Sequence, residues 1–349
     1  MTPRQWELLQ AVLRGERLDP PPVGFLVDSP WLPGWAGGSI LDYYASETFW
    51  LETNLRAVRE FPDVLFLPGF WSEFGMCSEP SAFGARPVWA EDDLPFAEAV
   101  FSTVAAAASA PRPDPRRHGL APFLLRRLVR ARPAIEAAGH QIRFAVTRGP
   151  LNVAGFLLGT TEFLTALKTE PGPAREFLER ITDYLVDWLK LQASTVGTID
   201  GVLVLDDLVG FLGPADFEAF ARPCLRRLFG ALDVSVRFFH NDAEGRVCAP
   251  HLEGIGVNLF NFGFRHSLAE MRRLTGGRVA LLGNIPPRDV LARGTPGDVA
   301  RAVRAALAEA GDRTRLILSC GGGVPPGVST GNLRAFLAAA RGEAVEVDP

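Results

Sequence analysis

The chain has 349 residues, 47% of them hydrophobic, and a formal net charge of −4. This length suits one large α/β barrel or two ordinary domains, and the charge gives no electrostatic reason to bind nucleic acid or an anionic membrane. The opening MTPRQWELLQAVLRGERL carries charges throughout and lacks the apolar core of a signal peptide, and no apolar run approaches bilayer-spanning length, so a cytoplasmic protein without membrane or nucleic-acid partners is expected.

Met1 to Arg17 places Trp6, Leu9 and Val12 at helical spacing and reads as an N-terminal helical extension. PPVGFLVD follows as a short strand ending at Asp28. A helix is expected over Ser39 to Phe61, then a second strand in DVLFLP. GFWSEFGMCSEPSAFGARPVW has no clean period and reads as a long loop after that strand, a place where function often resides. The proline-rich APRPDPRRHG reads as a surface connection within a single domain spanning 1–349. HQIRFAVTRGP is a strand ending near Arg148, Pro173 to Ser194 is a long amphipathic helix, and GVLVLDD is a strand ending in Asp206 and Asp207. GPADFEAFARPCLRRLF is a helix with Pro214 in its first turn. VSVRFFHND and GVNLFNFG are strands ending at His240–Asp242 and at Asn261, and GRVALLGN ends at Asn284. A helix capped by Thr295 and closed by Gly311 leads to the last strand, TRLILSCGGG, which ends at Cys320; a final helix covers STGNLRAFLAAAR.

Strands alternating with helices in this way favour a parallel sheet and suit a closed (β/α)8 barrel. The strands are apolar, yet nearly every one ends in a polar residue. In a parallel barrel all those ends face one side, where active sites lie. Taken singly, an Asp or Asn after a strand is often only a helix cap or turn former; the set, with histidine and cysteine in it, points to a site. His240 and Asp242, two residues apart at a strand end, can point the same way, and with Cys320 they offer a nitrogen, an oxygen and a sulfur. Three protein ligands and one open position are the pattern of catalytic zinc. Four cysteines in a chain of this size are not a disulfide framework. Cys224 reads as helix packing. Cys248 and His251 stand three apart in a helix that must cover the barrel. His266 reads as a helix cap, and His118 and His140 as surface-loop residues.

GRVALLGNIPPRDVLARGTPGDVARAVRAALAEAG followed by LILSCGGGVPPGVSTGNLRAFLAAAR resembles the C-terminal third of the uroporphyrinogen decarboxylase superfamily, and GPLNVAGFLLGTTEFLTAL and LVLDDLVGFLGPADFEAFARPCLRRLF extend the resemblance upstream to about Ile142. The resemblance implies a (β/α)8 TIM barrel. The arginine-rich N-terminal signature of the true decarboxylases is missing, which directs the comparison to the corrinoid-dependent methyltransferase branch. There, zinc is held by His-x-Cys after one strand and a Cys after the last; His240 and Cys320 match, and Asp242 stands in place of the first cysteine. The resemblance thus implies zinc held by His240, Asp242 and Cys320, and methyl transfer between a small methylated donor or acceptor and a corrinoid (methylcobalamin) supplied by a partner corrinoid-binding protein, since no cobalamin-binding element is present here. A carboxylate in place of a thiolate hardens the metal toward oxygen or nitrogen, which points to the demethylating direction or to an acceptor other than a simple thiol. Asp206 or Asp207 are candidates to manage a proton or orient a metal ligand. Asn152, Asn261 and Asn284 are candidates for hydrogen bonds to substrate, and Glu73 and Cys77 for closing the pocket. Two other readings stand beside this one: a metal-free decarboxylase or lyase of the same fold, and a non-catalytic tetrapyrrole or corrinoid carrier.

Overall fold

The computed structural model describes residues 1–27 and 29–344. Asp28, expected at the end of the first strand, lies outside the described residues. Eight strands run in parallel. They are β1 (Gly24–Leu26), β2 (Leu65–Leu67), β3 (Phe144–Arg148), β4 (Gly201–Leu205), β5 (Val236–Asn241), β6 (Leu259–Phe262), β7 (Ala280–Ile285) and β8 (Leu316–Cys320). Six of them, β3 to β8, form one sheet in chain order, and β1 pairs with β2. Parallel bridges Val23–Leu318 and Leu26–Gly323 attach β1 to β8, so the order across the array is β2, β1, β8, β7, β6, β5, β4, β3. Every strand expected from the sequence is present. A short antiparallel hairpin, Pro87–Val88 with Phe96–Ala97, sits in the long segment after β2.

Alternation along the strands divides the core into two. Leu26, Leu65, Leu67, Phe144, Val146, Leu203, Leu205, Phe238, Leu259, Leu282 and Ile317 share one cluster inside the array. Their neighbours, such as Phe25, Phe66, Ala145, Val202, Val204, Phe239, Phe260, Leu281 and Leu318, belong to the other cluster, with the covering helices. The N-terminal helix, Pro3–Arg14, is closed at its start by a Thr2–Gln5 capping box. It sends Trp6, Leu9 and Val12 into the inner cluster.

The barrel expected to close does not close by backbone pairing. Among the described residues no strand ladder joins β2 to β3. An open parallel edge leaves N–H and C=O groups that must find partners. The Gln192 side chain, on the long helix Pro171–Val196, accepts from Val146 N–H at 3.0 Å and donates to Val146 C=O at 3.0 Å. One primary amide thus replaces the missing strand. Nearer the mouth, Glu79 accepts from Arg148 N–H at 2.8 Å. The seam is closed by side chains.

Three further departures from expectation have local causes. The helix over Ser39–Phe61 is two helices, Ile40–Ala45 and Glu47–Glu60, because Ser46 stays extended and its side chain caps the second. A helix, Ala121–Ala137, fills the stretch after the proline-rich connection. His140 is no surface residue: it is 8% exposed and packs edge-on to Phe70. Burial, with the Met1 ammonium nearby, lowers its pKa to about 4.

Gln192→Leu should orphan the Val146 N–H and C=O inside the core. The expected loss is about 1–3 kcal/mol for each group left unpaired, read as a lower urea midpoint; a midpoint equal to wild type would show that the seam does not depend on this amide.

Candidate functional site

The inward alternation holds to the ends of the strands and, after β4 and β5, runs one inward position further. Phe144 and Val146 are followed at the same spacing by Arg148, Leu203 and Leu205 by Asp207, and Phe238 by His240 and Asp242. These polar residues meet at the C-terminal mouth and line a cavity of about 420 Å³. The cavity also takes in Trp71 and Asn152 from neighbouring loops and helices.

Asp207, His240 and Asp242 each offer a ligand atom within 4.8 Å of the others. The His240 ring is fixed in orientation and in tautomer. Asn261 Nδ2 donates to the carbonyls of Leu282 at 2.8 Å and Cys320 at 3.3 Å, so its Oδ1 is the atom that faces His240 Nδ1 at 2.7 Å. Nδ1 then donates to that oxygen, and Nε2 faces Asp207, 3.6 Å away. Asp207 is held in turn by the backbone N–H of Asp242 at 3.1 Å and the Asn152 amide at 3.4 Å. The carboxyl of Asp242 is raised above the ordinary aspartate range; loss of water is the main cause, and Asp207 adds to it while His240 and Arg288 oppose it. Two carboxylates and an imidazole nitrogen turned toward one another make an oxygen and nitrogen donor set suited to a divalent cation.

Cys320 is not among the three. It shares the outward alternation of Leu316 and Leu318 and packs in the outer cluster. Its thiol lies 3.4 Å from Gly322 O. Asp206 has the same outward sense, following Val202 and Val204. It accepts from the N–H groups of Leu151 at 3.0 Å and Asn152 at 2.9 Å, at the first turn of the helix Pro150–Leu158. Burial pushes its pKa up to about 8 against those two hydrogen bonds, with Asp207 adding to the rise. Asp206 therefore positions the helix that carries Asn152, while Asp207 faces the cavity.

The remaining expected residues fall behind the cavity wall. Asn261 is fully buried and engaged with His240. Asn284 donates to the carbonyl of His266. Glu73 and Cys77 are both buried, at 2% and 1% exposure. Burial pushes the Cys77 thiol up to about 11, with Arg148 opposing, so it is not a thiolate near neutral pH. Glu73 accepts from Arg148 at 3.0 Å and from the Ser29 hydroxyl at 2.7 Å. Glu79, which carried no signal in the sequence, meets Arg148 at 3.5 Å. Burial alone would lower the Arg148 pKa; the Glu79 and Glu73 carboxylates outweigh it and raise it. The Cys248 and His251 pair is split: Cys248 contacts Asn241 and Gly245, and His251 faces Glu218 at 3.1 Å.

Residues 4–342 match the family model for uroporphyrinogen decarboxylase (URO-D). The chain belongs to the uroporphyrinogen decarboxylase family. Among curated relatives, it is 26% identical over 193 residues to a methylated-thiol–coenzyme M methyltransferase of Methanosarcina mazei, covering 55% of this chain and 51% of that protein. It is 27% identical over 211 residues to a uroporphyrinogen decarboxylase of Thermus thermophilus, covering 55% of this chain and 60% of that protein. The chain thus spans about half to three-fifths of the length of these URO-D relatives. A solved structure described as a methyltransferase from Methanosarcina mazei superposes with a TM-score of 0.80 at 18% identity, over 96% of this chain and 98% of that one. That superposition shows the fold over 96% of this chain.

Gly149 marks how tightly Asp206 is held. A Cβ there would lie 2.1 Å from Asp206 Oδ2. Gly149→Ala should destabilise the protein by about 1–3 kcal/mol through overpacking, measured by chemical denaturation; an unchanged stability would mean that the Asp206 clamp on the helix start is loose.

Proposed function

We propose that this chain is a metal-dependent methyltransferase that moves a methyl group between a small methylated substrate, or an acceptor, and a corrinoid held by a partner protein in the cytoplasm. The observation that carries the reading is the convergence of Asp207, His240 and Asp242 in the mouth cavity. The residues fit zinc: one imidazole nitrogen, Nε2, and two carboxylates that no arginine or lysine of the described residues meets within 4 Å. Bound there, zinc supplies Lewis acidity toward the heteroatom that loses or gains methyl. The chain's own part is positional. His240 presents Nε2 because Asn261 holds its proton on Nδ1. Asn152 and the Asp242 backbone aim Asp207. Asp206 anchors the helix that carries Asn152.

Other features support the reading. The likeness to the Methanosarcina methyltransferase favours methyl transfer. A cavity of about 420 Å³ lies at the small end of ligand sites. Its carboxylates, Asp92, Asp93, Asp207 and Asp242, disfavour a tetrapyrrole rich in acids. Trp89, Phe96, Phe211 and Phe264 are exposed in the segments that follow β2, β4 and β6. Apolar groups gathered on the mouth side suit a partner that must deliver its cofactor there. No helix of the described residues is long and apolar enough to cross a membrane. Two carboxylates in place of thiolates favour an oxygen or nitrogen heteroatom over a simple thiol.

The deciding measurement is metal content by plasma mass spectrometry. Wild type is expected to hold near-stoichiometric zinc, His240→Ala to lose it and Cys320→Ser to keep it. Loss in Cys320→Ser would restore that sulfur as a ligand. No metal in wild type, even after zinc is supplied, would sink the metal reading and leave a metal-free decarboxylase or lyase in its place.

Asn261→Leu removes the acceptor that fixes the imidazole. Zinc affinity in chelator competition should fall about 10–100-fold, the usual cost of losing such a partner; an unchanged affinity would show that the ring holds its tautomer without help.

A further inference from the structure

His240 and Asp242 line the cavity from one short stretch, and the residue between them has the opposite sense. Asn241 is the last residue of β5 and is fully buried behind the cavity wall. Its Oδ1 accepts from the Ala243 N–H at 3.0 Å. A side chain bonded to the backbone two residues on makes an Asx turn, and the residue that this turn spans is Asp242. The Asn241 Nδ2 donates to the Cys248 sulfur at 3.7 Å, and the Cys248 thiol donates to Gly245 O at 3.3 Å. Burial pushes that thiol up to about 12, with the Asn241 amide opposing, so it stays protonated near neutral pH. One buried amide thus ties the start of the segment 242–248 to its end.

Asp242 is enclosed on its other sides by backbone. Its N–H donates to Asp207 Oδ1 at 3.1 Å. A Cβ at Gly263, just after β6, would lie 2.4 Å from the Asp242 carbonyl oxygen. A Cβ at Gly322, after β8, would lie 3.0 Å from Asp242 Oδ2. At Gly210, after β4, a Cβ would lie 2.5 Å from the Glu244 nitrogen and 2.7 Å from the Ala243 Cβ. A displaced turn would therefore meet backbone on three sides. We propose that Asn241 is a positioning residue: by holding the Ala243 N–H it fixes the backbone of Asp242, so that the carboxylate faces Asp207 and His240 before any metal is bound. The consequence for metal affinity rests on the proposed metal site; the turn itself does not. Without the Asx bond the Ala243 N–H loses its acceptor, and the dihedrals of Asp242 are set by packing alone. A carboxylate that must be ordered as the ion arrives costs conformational entropy, so the ion binds more weakly. A hydrogen bond that only stabilised the fold would leave that affinity unchanged.

The test uses the full chain and three readouts: zinc affinity in chelator competition, the visible spectrum of bound cobalt(II), and hydrogen exchange of the Ala243 amide in metal-free protein. Asn241→Ala and Asn241→Leu both remove the acceptor, the first leaving a space and the second filling it, so either one that folds suffices. Asn241→Ser keeps a hydroxyl able to make the same kind of turn. Cys248→Ala also opens a space behind the wall but leaves the Asx bond in place. Loss of the acceptor should weaken zinc binding about 10–100-fold, shift the cobalt(II) spectrum and speed exchange at Ala243. Asn241→Ser should recover most of the affinity, and Cys248→Ala should keep it even where its stability falls. Wild-type zinc affinity in the Ala or Leu variant, or an equal loss in Cys248→Ala, would overturn the assignment. The two readings fail separately. If wild type takes up neither zinc nor cobalt(II), the metal site falls, and exchange at Ala243 decides alone: slower in wild type and Asn241→Ser than in the Ala and Leu variants keeps Asn241 as the residue that sets the turn, and equal rates remove it. Zinc bound equally by every variant removes Asn241 and leaves the metal site.

Discussion

The period of two along a β-strand decides which polar residues of this protein meet. Inner and outer clusters alternate residue by residue through β3 to β8. The same alternation reaches the strand ends, and after β4 and β5 it runs on past the last ladder pair. Arg148, Asp207, His240 and Asp242 inherit the inward sense and reach the cavity. Asp206, Asn241 and Cys320 inherit the outward sense and serve the scaffold instead. Register then sets their depth. Leu205 pairs with His240 and His240 with Asn261, which brings the imidazole level with the amide that orients it and one step from Asp207. A slip of one residue in β5 would put Phe239 in the site and His240 against the helices, at the cost of every inner contact of that strand.

The second constraint is the seam between β2 and β3. Arg148, Glu73 and Glu79 form a buried group with two acids for one base. Such a group is expensive to desolvate and contributes little net stability by itself. Its value is positional. Glu73 reaches Ser29 after β1, Glu79 reaches the backbone of β3, and both belong to the long segment after β2. Three strand ends are tied together at the place where no ladder joins them. Gln192 does the same for the edge of β3 deeper in the array. The cavity wall is thus built from hydrogen bonds that hold only while the barrel stays curved.

This division explains what could be read in advance. All eight strands were legible, because each is a short apolar run bounded by turn residues. So was the pairing of His240 with Asp242, which needs only their spacing. The same parity, counted along LILSC, sets Cys320 apart from Ile317 and Ser319, yet the resemblance to a zinc family pointed to the sulfur. It likewise separates Asp206 from Asp207, which the sequence left as alternatives. Asn261 was legible as polar and inward, but its partners sit on β5, β7 and β8 and no local pattern reveals them. Gln192 and Glu79 left no trace at all: Gln192 is an interior residue of a long amphipathic helix, and its partner strand is 46 positions away. Long-range satisfaction of backbone groups has no sequence period.

Charge in the cavity is unbalanced. Four carboxylates, Asp92, Asp93, Asp207 and Asp242, face two arginines there, and one of those arginines is already neutralised by Glu73 and Glu79. An empty cavity is therefore acidic, and a dication is the economical correction for Asp207 and Asp242, which lie too close together to carry both charges without cost. The site proposed for methyl transfer depends in this sense on what surrounds the proposed metal ligands as much as on those ligands themselves.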